Sequence, residues 1–337
     1  MKKFSVAVCG ATGLVGRTMA RVLTERNFPV SQMRFLASAR SAGSEIAWNG
    51  ATYAVEELTE YSFSGVDFAL FSAGGDASRR FAPATAEAGC VVIDNSSAWR
   101  MHPDVPLVVP EVNAHALAAH RNIIANPNCS TIQLVVALKP LHEALGLRRV
   151  VVSTYQSVSG AGQKGIDQLT AELAGREPES RISMHRLAYN TVFHTIPDDE
   201  LFSEEEIKVK RETRKILELH DLPIAVTCVR LPVFGGHGES VNIETETPAT
   251  VAEVREILSF APGVVVHDEP HGQQYPTTLY AAGTDDVYVG RVRRDDSVEN
   301  GFHLWVVADN VRKGAATNAV QIAEVLIHHG EPNGKNP

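Results

Sequence analysis

Hydrophobic and polar positions along the 337 residues fall into two textures. In the first, Phe4 to Cys9 is a short apolar run that ends in glycine. Leu14 to Arg26 then places Leu14, Val15, Met19, Val22 and Leu23 at helical spacing, so the segment reads as strand, glycine turn and helix. Strand-like runs follow at Met33 to Ala37, Asp67 to Ser72, Cys90 to Asp94 and Leu107 to Val109, with a helix expected over Asp76 to Ala88. Strands alternating with helices predict an α/β domain built on a doubly wound parallel sheet. From about residue 130 the runs lengthen: Arg148 to Ser157, Ala225 to Phe234, Ser240 to Glu246, Val264 to His267, Val287 to Arg293 and Phe302 to Asp309. Several alternate apolar with polar, the pattern of antiparallel strands covered on one face. Helices are predicted over Ser130 to Ala144, Gly165 to Leu173, Ser203 to Leu219 and Val251 to Leu258, and a final amphipathic helix over Lys313 to His328. Gly175 to Ser183 reads as an exposed polar loop.

Length corresponds to two domains, and the absence of a linker or repeat makes the crossing near residues 126–130 tight. Lys and Arg number 31 against 40 Asp and Glu, a net charge of -9. With no dense basic run, this argues against a nucleic-acid partner, which needs a basic footprint. Cys9, Cys90, Cys129 and Cys228 are too few and too dispersed for a disulfide framework, and none has zinc-ligand spacing, so no metal is expected. Reduced thiols point to the cytoplasm. Lys2 and Lys3 before an apolar run resemble the start of a secretion signal, but Gly10, Gly13, Gly16 and Arg17 interrupt the run too early. No stretch is long and apolar enough to predict a membrane helix.

Four segments carry chemistry. GATGLVG, residues 10–16, sits between a strand and a helix, where backbone N–H groups and the helix dipole hold a pyrophosphate; a tight turn without a ligand reads the same way. LASARSAG, residues 36–43, ends the second strand with Ser38, Arg40 and Ser41 and no carboxylate before Glu45. This favours NADP over NAD, although a solvated Arg40 would look alike. In NPNCST, residues 126–131, Ser130 and Gln133 have capping-box spacing, which puts Cys129 at a helix N-terminus, where thiolate is favoured. The other three cysteines lie in or beside predicted strands and read as small buried hydrophobes. In RLPVFGGHGES, residues 230–240, glycines surround His237 and leave its imidazole accessible, as an acid/base partner titrating near neutrality. Arg230 offers a planar fork to a carboxylate, as would an ordinary strand-edge arginine. Most of the 13 histidines, including His328 and His329, read as incidental.

These strings, with DNSSAWR (94–100), VVPEVN (108–113), STYQSVSGAG (153–162), EEIK (205–208) and DNVRKGAATNAVQ (309–321), give the chain a resemblance to the aspartate-β-semialdehyde dehydrogenase family along most of its length. The resemblance implies a Rossmann-type NADP-binding domain over 1–128, rejoined by a helix at about 311–330, and an α+β catalytic and dimerisation domain over 129–310. It implies Cys129 as nucleophile, His237 as general acid/base and Gln156 as an orienting neighbour. Arg230 would bind the substrate α-carboxylate and Glu205 the α-amino group, with Asn128 a further substrate contact. Arg100 and Lys208 would hold phosphate. Gly10, Thr12, Gly13, Leu14, Val15, Arg40, Ser41, Ser159, Gly160 and Asn310 would contact NADP. The implied activity is reduction of L-aspartyl-4-phosphate to L-aspartate-4-semialdehyde, with release of phosphate, by a homodimer in the aspartate-derived amino-acid pathway. A sister reductase for N-acetylglutamyl phosphate and a non-catalytic NADP sensor are the rival readings. Gln163 to Phe202 matches the family less closely, and the Glu204–Glu206 run leaves the register of Glu205 open.

Overall fold

A computed structural model of the chain describes residues 2–328, so residues 329–330 of the expected last helix, and His329, lie outside it. In chain order the elements are β1 (Phe4–Cys9), α1 (Leu14–Glu25), β2 (Val30–Ala37), β3 (Glu45–Trp48), β4 (Ala51–Glu57), β5 (Phe68–Phe71), α2 (Gly75–Glu87), β6 (Val91–Asp94), α3 (Pro110–Asn113) and β7 (Ile123–Ala125). Next come α4 (Cys129–Leu145), β8 (Leu147–Gln156), α5 (Gln163–Leu173), β9 (Val192–Phe193), α6 (Glu204–Leu217), β10 (Ile224–Arg230) and β11 (His237–Thr245). The chain continues with α7 (Val251–Ser259), β12 (Val264–Val266), α8 (Thr278–Ala281), β13 (Val287–Asp295), β14 (Gly301–Ala308) and α9 (Thr317–His328). Two compact units result: Met1–Pro127 with Ala315–Pro337, and Asn128–Gly314.

The first unit is the doubly wound sheet, in the order β3-β4-β2-β1-β5-β6-β7, parallel except for β3. Residues of β1 alternate between two cores. Phe4, Val6 and Val8 join the side that holds Met19, Leu23, Ala319 and Ile322, whereas Ala7 and Cys9 join the side with Phe81 and Ala82. Both faces are thus covered, as parallel strands require, and α9 packs into the same core as α1. Leu107 to Val109 is not the expected strand: Leu107 makes one isolated bridge to Ala125, and Val109 caps α3. The β3–β4 hairpin, absent from the hydrophobic reading, turns on Asn49 and Gly50. Both have positive φ (48° and 79°), as the tight hairpin turn of opposite hand requires.

The second unit has a mixed sheet, β12-β13-β14-β11-β8-β10-β9, in which β8 pairs in parallel with β10 and antiparallel with β11. Parallel pairing at β8 departs from the antiparallel expectation, because the chain crosses over through α5 and α6 between β8 and β10. Helix α4 is buried along nearly its whole length and contacts β8, β11, β13 and β14, as well as α6 and α7. An apolar helix of this kind is stable only when enclosed on all sides. On the opposite sheet face Tyr155 and Trp305 remain half-buried, with ring centroids 5.6 Å apart. Among the described residues no helix is long and apolar enough to cross a membrane.

Candidate active site

The site in the second unit is assembled by strand register. Arg230 of β10, Gln156 at the end of β8 and His237 at the start of β11 are directly paired across three strands. Paired residues share a sheet face, so one cross-strand row brings a guanidinium, an amide and an imidazole to the side where α4 and α6 pack. Cys129 is the first residue of α4. The cap is Asn128, not Ser130: its Oδ1 accepts from the N–H groups of Ser130 (3.0 Å) and Thr131 (3.3 Å). Capping therefore falls two residues earlier than the Ser130–Gln133 spacing predicts, because an Asn directly before the cysteine is the stronger cap for that start. Ser130 Oγ instead accepts from Gln156 Nε2 at 2.8 Å.

Cys129 Sγ lies 3.3 Å from His237 Nε2. His237 is fully buried, and burial, reinforced by the charge of Arg230, pulls its pKa down to about 3. It is therefore neutral at working pH, in contrast to the expected near-neutral titration. The backbone N–H of Ser157 points at Nδ1 from 3.1 Å. An N–H only donates, so Nδ1 is the acceptor and the neutral ring carries its proton on Nε2, facing the sulfur. The Oγ atoms of Ser157 and Ser159 are 2.9 Å apart, and each donates to Asn310 Oδ1 at 3.1 Å, which also accepts from Gly236 N–H. Asn310 thereby ties together the two turns that flank the imidazole. Gly160 is packed against the same groups: a Cβ there would lie 3.2 Å from both Arg230 Nη1 and His237 Nε2.

Glu205 is buried at the second position of α6, a helix started by a capping box of Ser203 and Glu206. Its Oε1 accepts from Asn128 Nδ2 (2.8 Å) and Gln156 Nε2 (3.2 Å), and its Oε2 is 3.6 Å from Lys208 Nζ. Burial alone would raise its pKa. Lys208, His194 and the two amides outweigh burial and hold it near 2, so a fixed negative charge sits beside the cysteine. Arg230 supplies the opposite charge: although burial lowers its pKa, its Nη1 donates to Ser157 C=O at 2.7 Å. A cation and an anion flanking a nucleophile suit a substrate bearing a carboxylate and an ammonium group.

The second unit thus gathers Cys129, His237, Gln156, Asn128, Glu205, Lys208, Arg230, Ser159, Gly160 and Asn310. Gly10, Thr12, Gly13, Leu14, Val15, Arg40, Ser41 and Arg100 belong to the first. There the glycine loop fits a dinucleotide pyrophosphate. Gly10 has φ +79°, and a Cβ on it would meet Ser72 C=O at 2.3 Å, at the ends of the neighbouring strands β1 and β5, between which the strand order reverses. Gly13 caps α1 without a side-chain hydrogen bond, and no acidic residue occupies the first turn, so the N–H groups at the helix head face outward for an anion. Arg40 is exposed and Ser41 half-buried. Arg100 is buried and donates to the C=O groups of Asn126 (3.0 Å) and Asn95 (2.8 Å).

Sequence reasoning missed Ser157, Glu212 and Gly314. Glu212 accepts the Asn128 N–H at 2.7 Å; its position seven residues after Glu205, two turns along one helical face, was the available signal. A Cβ on Gly314 would lie 2.9 Å from Cys129 Cβ, so only glycine allows that approach to the nucleophile.

Residues 5–120 match the family model described as "Semialdehyde dehydrogenase, NAD binding domain", and residues 138–313 match "Semialdehyde dehydrogenase, dimerisation domain". The chain is 52% identical over 336 residues to an aspartate-semialdehyde dehydrogenase of Aquifex aeolicus, covering 97% of this chain and 99% of that one. It is similar to the crystal structure of aspartate semialdehyde dehydrogenase II of Vibrio cholerae complexed with ASA, with a TM-score of 0.93 and 48% identity over 97% and 99% of the two chains. It is also similar to the Candida albicans enzyme crystallised with NADP, with a TM-score of 0.75 and 25% identity over 97% and 99%.

Proposed function

The chain belongs to the aspartate-semialdehyde dehydrogenase family, and from that premise we propose that it is an NADPH-dependent oxidoreductase that converts L-aspartyl-4-phosphate to L-aspartate-4-semialdehyde and phosphate through a Cys129 thioester. The observation that carries the mechanism is the imidazole N–H held 3.3 Å from the sulfur, with the Arg230 charge acting on Cys129 and Glu205 hydrogen-bonded to the adjoining Asn128.

Cys129 Sγ adds as the thiolate, which the His237 Nε2–H faces, to the acyl carbon, the C–O bond to phosphate breaks with its electron pair on phosphate, and a thioester remains. Arg230 binds the α-carboxylate, Glu205 binds the α-ammonium, and Asn128 and Gln156 keep Glu205 in place. Lys208, with Arg100, would neutralise the phosphate. NADPH, when bound, supplies the hydride; Gly10, Thr12, Gly13, Leu14, Val15, Arg40, Ser41, Ser159, Gly160 and Asn310 are the residues that would hold it. His237 stabilises the resulting oxyanion with its Nε2–H, the C–S bond breaks, and the electron pair returns to Sγ, where the same N–H faces it. Glu205 also argues against the N-acetylglutamyl rival: a buried anion fits a free ammonium group better than an uncharged acetamide.

Purified protein supplied with L-aspartate-4-semialdehyde, NADP and phosphate is expected to generate reduced nicotinamide, read by its near-ultraviolet absorbance. Turnover of N-acetylglutamate semialdehyde in its place would refute the substrate assignment.

The homodimer belongs to the same reading. Tyr155, Leu231, Ser240, Pro276, Arg293 and Trp305 line a cavity of about 580 Å³ on the sheet face opposite α4, beside the short helix α8, within the segment that matches the dimerisation model. A second copy would cover it. Sedimentation equilibrium is expected to give twice the chain mass, and a monomer at micromolar concentration would exclude the dimer. The four free cysteines fit a cytoplasmic location.

A further inference from the structure

Glu239 has no exposed surface. It lies on β11 two residues after His237, hence on the same sheet face, with Thr154 and Val306 as its cross-strand neighbours. Neither carboxyl oxygen has a hydrogen-bond partner. Its polar neighbour from the packed helix is Gln133 of α4. Gln133 Nε2 donates to the C=O of His237 (3.3 Å) and of Val306 (3.5 Å). Those carbonyls fix the amide's orientation, because the flipped amide would set oxygen against oxygen. Gln133 Oε1 is therefore left buried with no donor. Glu239 and Gln133, which interact, thus each hold a buried acceptor without a donor, and of the two only the carboxyl group can carry a proton.

We propose that Glu239 is a protonated carboxylic acid whose O–H donates to Gln133 Oε1, and that the pair is a positioning device holding the His237 backbone against Cys129. Burial pushes the Glu239 carboxyl well up, and the Gln133 amide only partly opposes it. The other titratable groups around it do not replace that proton. His237 is neutral, and the Cys228 thiol of β10, in the same cross-strand row, is itself pushed up by burial and by Glu205, Glu206 and Glu239. The next row carries Arg230, which is directed to Ser157 and Glu205.

The catalytic part of the inference rests on the proposed activity; the protonation part does not. A glutamate protonated in the fold and ionised when unfolded contributes stability that is complete below its unfolded pKa and is lost as pH rises. Relative to Glu239→Gln, the wild-type melting temperature should therefore fall between about pH 5 and pH 8. The infrared spectrum of the wild type should also show a protonated-carboxyl C=O band that Glu239→Gln removes. With aspartate semialdehyde, Glu239→Gln should keep at least about a third of wild-type kcat, because its amide N–H replaces the O–H. Glu239→Leu should lose about tenfold in kcat with little change in KM, the equivalent of one hydrogen bond. A pH-independent melting difference, a missing infrared band, or equal losses in both variants overturns the proposal. Wild-type inactivity toward the semialdehyde would instead count against the proposed activity and leaves the infrared and melting arms to decide the protonation.

Discussion

Cys129→Ser is expected to lose about 10⁴-fold or more in turnover while still folding and binding NADPH. Folding should survive because the helix cap is supplied by Asn128, and the change replaces only one side-chain atom, sulfur by oxygen. Chemistry should not survive. A serine hydroxyl needs a base to remove its proton, and His237 already carries its proton on Nε2, with Nδ1 committed to the Ser157 N–H. A thiol ionises far more readily without one. Steady-state kinetics, with NADPH binding followed by fluorescence titration, checks both halves. Retained turnover would mean that no nucleophilic sulfur is required.

Arg230→Ala is expected to lower kcat/KM by about 10²–10³, the usual consequence of removing one member of a buried charge arrangement. Three effects combine: the fork that would grip the α-carboxylate is gone, Glu205 loses an opposing charge, and the bond to Ser157 C=O is broken. Arg230→Lys should recover little, because a point charge cannot replace the fork. The same change should raise the His237 pKa above its value of about 3, since Arg230 is the second cause of its depression after burial. The pH signs are then fixed: in the wild type, Glu205 at about 2 and His237 at about 3 are already in their working forms above pH 5, so neither sets an acidic limb near neutrality. The discriminating measurement is the ratio of kcat/KM for aspartate semialdehyde to that for an analogue lacking the α-carboxylate. The ratio should collapse in the variant; an unchanged ratio would remove the carboxylate contact.

The sheet-and-helix order of both units was legible because the core alternates at period 2 in the strands and near 3.6 in the helices. Glycine-loop placement and the position of Cys129 at a helix head were legible for the same reason. The Asn49-Gly50 hairpin escaped because Glu45 to Glu57 is too polar to register as apolar runs, although the dipeptide itself encodes the turn. The state of His237 was not legible, since glycines around a histidine promise access, whereas its full burial and the neighbouring Arg230 come from cross-strand pairing more than 70 residues apart in sequence. Glu205 was found by resemblance, but its connection to Asn128 and Gln156 is tertiary. For the same reason Glu239 read as one more polar position on a strand, because nothing local says that its face is closed by α4.

The central claim is a covalent acyl group on one sulfur. Enzyme incubated with L-aspartate-4-semialdehyde and NADP in the absence of phosphate should accumulate the thioester, because its discharging nucleophile is missing. Peptide mass spectrometry should then find an aspartyl group on Cys129 and nowhere else, and none in Cys129→Ser. Turnover on restoring phosphate with no acyl group ever detected on Cys129, or with the group on another residue, would contradict the mechanism.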